Sequence, residues 1–437
     1  MNKKQLLALT LIFFPLYVFA GAGTITLTLE EAVARALEQS LHLQRSAIDL
    51  AQTEYSASRL WSEIFPSFSL NAGLTFFSGT NLVTSPPFNR GDPTYTFSLG
   101  ASLSLNPSIS SSMRRIELAY RSQLLSYENA RKQLEIQVIK RYLGLANMQA
   151  GISHLEETLK VAVHRLNNDR IARASGLLNE LAWLNSQLSV ETARFNLSTA
   201  QAAYQNALGE FLSILGLEGV TDIEFLETIE VVRVHYDPEQ LILEHLPRRP
   251  DIISQRQNIE RLELTRNITT SNLRSPTLNL SANWGAAGNR NFNDPFADRV
   301  SGSVTLNIPV DSWIPGTRQN QSLRAAGAEV EKALLDLQNT KIQAKTQIRS
   351  LITNLENTWR SLEIAKLRVD IAERTVEATE IGFRNGTAGF QELEDRRNDL
   401  SDARQRLLQG ELSYQTMFLD LAAALNVDWR TLIRGLQ

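Results

Sequence analysis

The chain has 437 residues, with 44 lysines and arginines against 47 aspartates and glutamates, a formal net charge of −3 and no cysteine. The balanced charge excludes the broad basic surface that nucleic-acid binding requires, so we expect no nucleic-acid partner. The lack of cysteine excludes disulfides, thiolate metal sites and thiol nucleophiles. The 5 histidines have no metal-ligand spacing, and neither a phosphate-binding loop nor a nucleophile elbow occurs. We therefore predict a protein that is not an enzyme and holds neither a metal nor a cofactor.

Residues 1–22 have the pattern of a secretory signal peptide. The basic start MNKK precedes an apolar run from Leu6 to Ala20, and small residues occupy positions 20–22. This order matches the charged region, apolar region and cleavage site of an exported protein. A membrane anchor is the alternative, but the run has about 15 residues where a spanning helix needs about 20. The sequence therefore predicts export from the cytoplasm.

The remaining chain repeats itself after 210 residues. Pro66 in IFPSFSL corresponds to Pro276 in RSPTLNL, and Gly176 in RASGLL corresponds to Gly386 in FRNGTA (276 − 66 = 386 − 176 = 210). Each copy holds a helical stretch, two alternating strands and a longer helical pair. A period this long, used twice, indicates a duplicated module rather than a solenoid. We predict a mainly α-helical fold of two helix–strand–strand–helix–helix repeats, residues 23–217 and 248–437.

Two pairs of strands are predicted, at 66–79 and 94–107 in the first repeat and at 276–288 and 299–310 in the second. Apolar and polar residues alternate in each, as in TLNLSANWG from Thr277, which gives one apolar and one polar face. A soluble β-sandwich is one interpretation. Three features favour a membrane. The strands have about the 9–11 residues that cross a bilayer, their polar faces are small and uncharged, and aromatic residues gather at their ends.

Four strands cannot close a barrel. An open sheet edge in lipid leaves backbone groups unpaired, at several kcal/mol each, and small closed barrels have about eight strands. Two copies of the chain would supply eight strands and three copies would supply twelve. The strands therefore require an oligomer without fixing the number of chains. The polar, turn-rich loops at 79–93 and 289–298 are expected to face outwards.

Long helical hairpins are predicted after each pair of strands, at 112–215 and 318–426. Apolar residues recur every three or four positions, close to the heptad period, and no proline interrupts residues 113–172. About 60 residues at 1.5 Å each make a rod of roughly 90 Å. Each hairpin turns at a glycine, Gly176 or Gly386. A plain structural coiled coil is one interpretation; beside membrane strands and a signal peptide, the pattern favours a tube that reaches into the periplasm.

The ordered set of segments resembles the TolC-like outer-membrane efflux proteins. It comprises LTLEEAVARALEQS continuing to IFPSFSL, LPRRPDIISQRQNIERLELTRN from Leu246, and the two glycine turns with their returning helices. The resemblance implies a homotrimer with one twelve-stranded outer-membrane β-barrel, continued by a long periplasmic α-helical barrel. It implies a passive exit duct of a tripartite efflux or type I secretion system, which docks to a periplasmic adaptor (membrane fusion) protein and an inner-membrane pump. Residues 218–247 would be an equatorial linker, in which IEFLETIEVVRV predicts a small strand.

The resemblance also suggests residues for a periplasmic aperture. In this family, acidic residues after the second turn ring the aperture, and spacing from Gly386 places them at Glu392 and Asp395. The alternative is an ordinary solvated helix face of four acidic side chains: Glu392, Glu394, Asp395 and Asp399. After the first turn, the family's acidic residue that helps to close the channel is replaced by Ala182. Its neighbour Trp183 is expected to pack against the turn instead.

The turns are the predicted docking sites for the adaptor, because exposed hairpin tips are what a partner hairpin can grip. They comprise two tripeptides: Gly176, Leu177 and Leu178, and Gly386, Thr387 and Ala388. The alternative is that they are only tight turns that need a positive φ. For the whole chain, the alternative function is a periplasmic coiled-coil adaptor or structural protein, which would dissolve without detergent.

Overall fold

The structure is a computed structural model that describes residues 24–75, 94–217, 220–225, 232–234, 236–288 and 297–434. The predicted signal peptide and the predicted loop at 79–93 lie outside these residues, as do most of the loop at 289–298 and parts of the linker. The chain divides into two compact units. The first unit comprises residues 1–44, 131–236 and 350–437, and the second comprises residues 45–130 and 237–349.

The described residues are mainly helical. The helices are α1 (Leu29–Gln39), α2 (Leu41–Ser58), α3 (Ser108–Ala174), α4 (Glu180–Leu215), α5 (Pro238–His245), α6 (Pro250–Arg274), α7 (Arg318–Arg384), α8 (Phe390–Leu425) and α9 (Trp429–Arg434). The strands are β1 (Thr24–Leu27), β2 (Ser67–Thr75), β3 (Thr94–Leu105), β4 (Asp222–Phe225), β5 (Thr277–Gly288) and β6 (Ala297–Asn307). Within these residues, no helix combines the length and the apolar composition needed to cross a lipid bilayer.

The duplication predicted from the sequence is confirmed. Helices α3 and α7 each have 67 residues, and helices α4 and α8 each have 36. Within each pair the two helices begin 210 residues apart (318 − 108 = 390 − 180 = 210). Both repeats therefore contain two strands followed by a long helix and a shorter returning helix.

Proline separates helix from strand in both repeats. Helix α2 ends at Ser58, and a 3₁₀ turn at Leu60–Ile64 precedes Pro66, after which β2 begins. Helix α6 ends at Arg274, and β5 begins directly after Pro276. Because proline has no N–H and forces the residue before it into an extended conformation, the 3₁₀ turn and α6 each end two residues before a proline.

The core of the first unit lies where two short parallel strands meet the helices. Strand β1 pairs with β4, with Thr24 aligned to Asp222 and Leu27 to Phe225. Tyr142 of α3 is fully buried beside them, and its hydroxyl donates to the Leu27 carbonyl oxygen at 2.9 Å. Its ring meets that of Phe225 edge-on, with 4.9 Å between centroids. The alternating linker sequence predicts β4 correctly, whereas β1 was not predicted.

The repeated tyrosines tie the linker to the returning helices. Tyr204 of α4 donates to Asp222 Oδ1 at 2.9 Å, and Tyr414 of α8 donates to the Val232 carbonyl oxygen at 2.8 Å. Burial raises the pKa of both hydroxyls, and Asp222 raises that of Tyr204 further. Both side chains therefore remain protonated donors at neutral pH. The two tyrosines, which lie 210 residues apart (414 − 204 = 210), thus both bind the linker to a returning helix through a hydrogen bond.

The second unit contains an antiparallel sheet of four strands in the order β2-β3-β5-β6. The register places apolar residues side by side on one face, as in the row Leu70, Leu99, Trp284 and Val300. The next row is on the other face and consists of Asn71, Ser98, Gly285 and Arg299. The apolar face is open to solvent in a single copy of the chain, and 78% of Val300 is exposed. Strands β2 and β6 form the two edges of this sheet.

One detail of the strand prediction is wrong, because the polar face is not free of charge. Strand β6 begins at Ala297, so it includes Asp298 and Arg299. Arg299 aligns with Gly285 on the polar face, and Asp298 aligns with Ala286 on the apolar face. Arg299 is the first residue of the predicted strand at 299–310, whereas Asp298 was assigned to the predicted loop at 289–298, although it already belongs to the strand.

Candidate functional site

The two hairpin turns have the same backbone structure, and both belong to the first unit. Gly176 has φ 72° and Gly386 has φ 74°, a region that glycine enters without steric cost. At each turn the glycine N–H and the following N–H bond back to carbonyls of the preceding helix, which is the Schellman pattern. Leu177 is 83% exposed, Thr387 is exposed, and Leu178 and Ala388 are partly buried. The predicted docking residues therefore lie at the ends of two equivalent hairpins.

The first turn is held by an arginine that lies over a tryptophan ring. The Arg173 guanidinium is 4.0 Å from the Trp183 ring centroid and bonds to Glu180 Oε1 at 3.1 Å. Asn179 caps α4 by accepting from the Ala182 N–H at 2.8 Å. Trp183 thus packs against the turn, as expected, and the position of Ala182 contributes only its backbone to the cap.

The structure places Glu392 and Asp395 next to each other on the exposed side of α8. They are three residues apart, so their side chains lie on the same side of the helix. Both residues are exposed, and Asp395 Oδ1 accepts from the Gln391 side-chain amide at 3.1 Å. Among the described residues of one copy, neither carboxylate forms an ion pair with lysine or arginine. The structure therefore brings these two predicted residues together as unneutralised charges.

Glu394 does not belong to that exposed face, so the alternative of one solvated face formed by all four acidic side chains is wrong for this residue. Its Oε1 forms an ion pair with Arg165 Nη1 of α3. The side chains are only 16% and 11% exposed, respectively. Ser189 of α4 donates to the other carboxylate oxygen at 3.4 Å. Glu394 therefore joins α8 to both helices of the first hairpin.

Arg165 is the centre of this buried network. Its guanidinium lies 3.4 Å from the centroid of the Phe390 ring, at the start of α8, and its Nε is 3.5 Å from Asp169 Oδ2. Ser186 of α4 donates to the same Asp169 oxygen. Burial lowers the pKa of Arg165 to about 10, and the Asp169 carboxylate opposes that effect. Arg165 therefore remains charged at neutral pH and needs its carboxylate partners.

Arg397 extends the network to the fourth helix. Its Nη2 donates to Glu380 Oε1 of α7 at 2.6 Å, and its Nη1 is 3.8 Å from Glu394 Oε1. The network thus connects α3, α4, α7 and α8, the four helices of the two hairpins. A cleft of about 510 Å³ lies beside it, lined by Arg165, Glu380 and Arg397 among others. Because breaking one buried ion pair leaves its partner uncompensated, loss of a single member of this network is expected to weaken the contact between the two hairpins.

The sequence contained one signal for this network. Arg165 directly precedes Leu166 and Glu394 directly follows Leu393, two leucines of the heptad pattern. Residues that flank the apolar seam of a coiled coil commonly form ion pairs between helices. The heptads alone do not show which helices are neighbours, so the partners were not predictable.

The sheet with two open edges and the pair of equivalent helical hairpins define a channel protein of the TolC-like class. The chain belongs to the outer membrane efflux protein family, whose model matches residues 32–217 and 241–427. It is therefore a transport protein of the outer membrane, with a helical extension in the periplasm, rather than an enzyme.

Individual relatives are distant in sequence but similar in fold. The chain is 20% identical to Toxin and drug export protein A of Aggregatibacter actinomycetemcomitans over 355 residues, 79% of this chain and 73% of that protein. The crystal structure of CusC has a TM-score of 0.76 at 15% identity and covers 94% of this chain and 96% of its own. The Campylobacter jejuni outer membrane channel CmeC has a TM-score of 0.74 at 16% identity and covers 93% and 88%.

Proposed function

We propose that three copies of this chain form the passive exit duct of a tripartite efflux or type I secretion system. The observation that carries this proposal is the four-stranded sheet with one apolar face and two edge strands. In a bilayer, lipid chains cover the apolar face favourably, but each open edge leaves backbone N–H and C=O groups without hydrogen-bond partners. The edges of one copy therefore need the edges of others.

A ring of identical copies satisfies both edges at once. Strand β6 of one copy would pair with β2 of the next, a head-to-tail contact that closes when the rotation suits it. Three copies would supply twelve strands, a closed barrel without edges. The family resemblance favours three copies over two. Purified protein in a planar lipid bilayer should then give discrete, uniform current steps; a bilayer that stays silent would argue against a duct.

The partners of the duct are proposed to be a periplasmic adaptor and an inner-membrane pump. No nucleotide-binding motif occurs in the sequence, so the energy for export must come from a partner. The two turns support docking at the hairpin tips, since Leu177 offers an exposed apolar side chain beside a rigid Schellman turn. The relative named as a toxin and drug export protein is consistent with export of diverse cargo. Selection of cargo is then the task of the pump.

The aperture is proposed to be ringed by Glu392 and Asp395. Three copies would bring six carboxylates together, and within one copy none of the described cations neutralises either group. Such a ring attracts cations and binds divalent ions more strongly than monovalent ones. The ring would therefore both select and restrict what passes the tip.

Glu392→Ala combined with Asp395→Ala is expected to raise conductance in a planar bilayer and to weaken block by divalent cations, each by about twofold or more. The physical reason is the loss of six charges and of the ions they hold in the aperture. The control is Glu191→Ala on α4, which removes an exposed carboxylate that pairs with Arg194 of the same helix. Unchanged conductance and block in the double variant would remove these residues from the aperture.

A further inference from the structure

Arg299 is the one charged side chain on the polar face of the described strands β2, β3, β5 and β6. The other residues of that face are serine, threonine, asparagine, glycine and alanine. Across the sheet from Arg299, the same row continues through Gly285, Ser98 and Asn71. No carboxylate of the described strands therefore shares a face with this guanidinium.

The neighbour of Arg299 defines its level in the barrel. Asp298 lies on the opposite, apolar face, where it aligns with Ala286. A charged side chain on the lipid-facing side costs little near the interface and several kcal/mol at the midplane. Asp298 therefore places this level near the boundary of the membrane. Arg299 is eight residues from Asn307 (307 − 299 = 8), about 26 Å along the strand, so Asn307 lies near the opposite boundary.

We infer that three Arg299 side chains form a ring inside the barrel mouth, at the end where β5 connects to β6, and that this ring binds multivalent oxyanions. The inference rests on the proposed function, because a closed barrel of three copies brings the three guanidinium groups into one lumen. A planar guanidinium bonds phosphate and carboxylate oxygens in pairs and stays charged at every relevant pH. The ring would concentrate anionic cargo at the exit.

The free space beside Arg299 and the range of its charge favour anion binding at this level. Gly285, opposite Arg299 on β5, leaves open the space that a side chain would occupy, because a Cβ placed there would meet only the Phe97 carbonyl oxygen, at 3.8 Å. In physiological salt, charges interact over about 8 Å, so an anion is held by these guanidinium groups where it comes that close to them. Phosphate groups of lipids would meet the outer face of the barrel, where Asp298 repels them instead.

The test is block of single-channel current by inorganic tripolyphosphate, added from the barrel end that carries the β5–β6 connection. The wild-type duct is expected to be blocked, and Arg299→Gln is expected to raise the half-blocking concentration about tenfold. Arg299→Lys keeps the charge but loses the paired bonds, and should give an intermediate value. Asp298→Asn is the matched control, because it changes a charge at the same level on the opposite face and should leave block unchanged.

Three results would overturn the ring while leaving the duct in place. Equal block of the wild type and Arg299→Gln would show that the anion binds elsewhere, and a wild type without block would show that no anion site exists. A change with Asp298→Asn as large as that with Arg299→Gln would place the effect at the lipid face. A wild-type protein that carries no current at all would instead refute the duct itself, and the ring with it.

Discussion

Replacement of Glu394 with glutamine is expected to raise the conductance of the channel at least about twofold and to destabilise the hairpin contact by about 3–5 kcal/mol. Both effects have one cause, because Arg165 would keep its charge in a buried position while losing its partner on α8. Helix α8 also carries Glu392 and Asp395. When its link to α3 is broken, α8 can move and widen the proposed aperture. Single-channel recording and the thermal unfolding midpoint of the purified oligomer measure the two effects.

Two further variants make this result specific. Glu392→Gln changes an exposed carboxylate of the same helix and should leave the unfolding midpoint unchanged. Arg165→Leu combined with Glu394→Leu and Asp169→Asn removes the buried arginine together with both of its carboxylate partners and should recover most of the stability, since uncharged residues can replace buried ion pairs without loss. If Glu394→Gln assembles normally yet conducts and unfolds like the wild type, the network does not hold the hairpins together.

Replacement of Leu280 with arginine is expected to abolish stable assembly in the outer membrane, whereas arginine at the adjacent Ser281 should be tolerated. Leu280 lies on the apolar face of β5, aligned with Val304, which is well inside β6 and away from the Arg299 level at the membrane boundary. An arginine at the lipid face near the midplane costs roughly 2–4 kcal/mol in each copy. Ser281 lies on the polar face beside Ser303, where a water-filled lumen would accept the charge.

The fraction of each variant in the outer membrane, and its resistance to dissociation in cold detergent, measure this difference. The two variants carry the same new side chain one residue apart in the strand, so general effects of charge on export or folding cancel between them. If both variants assembled equally well, the apolar face would not be a lipid-facing surface.

Much of the fold follows from simple periodicities. Strict alternation predicts the four long strands, and the proline-free heptads predict helices as long as α3 and α7. The pairing of β1 with β4 was not predictable in this way. Strand β1 has four residues, too few for a pattern, and the pairing joins segments almost 200 residues apart (222 − 24 = 198). Only the packing of Tyr142 and its neighbours brings them together.

The part of the candidate site that depends on backbone conformation, the two hairpin turns, was predictable from the sequence. Gly176 and Gly386 mark the turns because few other residues adopt their positive φ. The Arg165–Glu394 pair was not, because ion pairs between helices depend on which helices are neighbours. The charge of Arg299 on the polar face was missed for another reason. Arg299 is the first residue of the predicted strand at 299–310, and the alternation that defines the polar face is clear only from Val300 onwards.

The proposed duct depends most directly on the number of chains that share the barrel. Light scattering of the detergent-extracted protein, corrected for bound detergent, measures this number. We expect three chains per particle, recovered from the outer-membrane fraction, because three copies supply twelve strands and leave no edge of β2 or β6 unpaired. A single chain that stays soluble without detergent would contradict it, since the apolar face of the sheet would then have no lipid to meet.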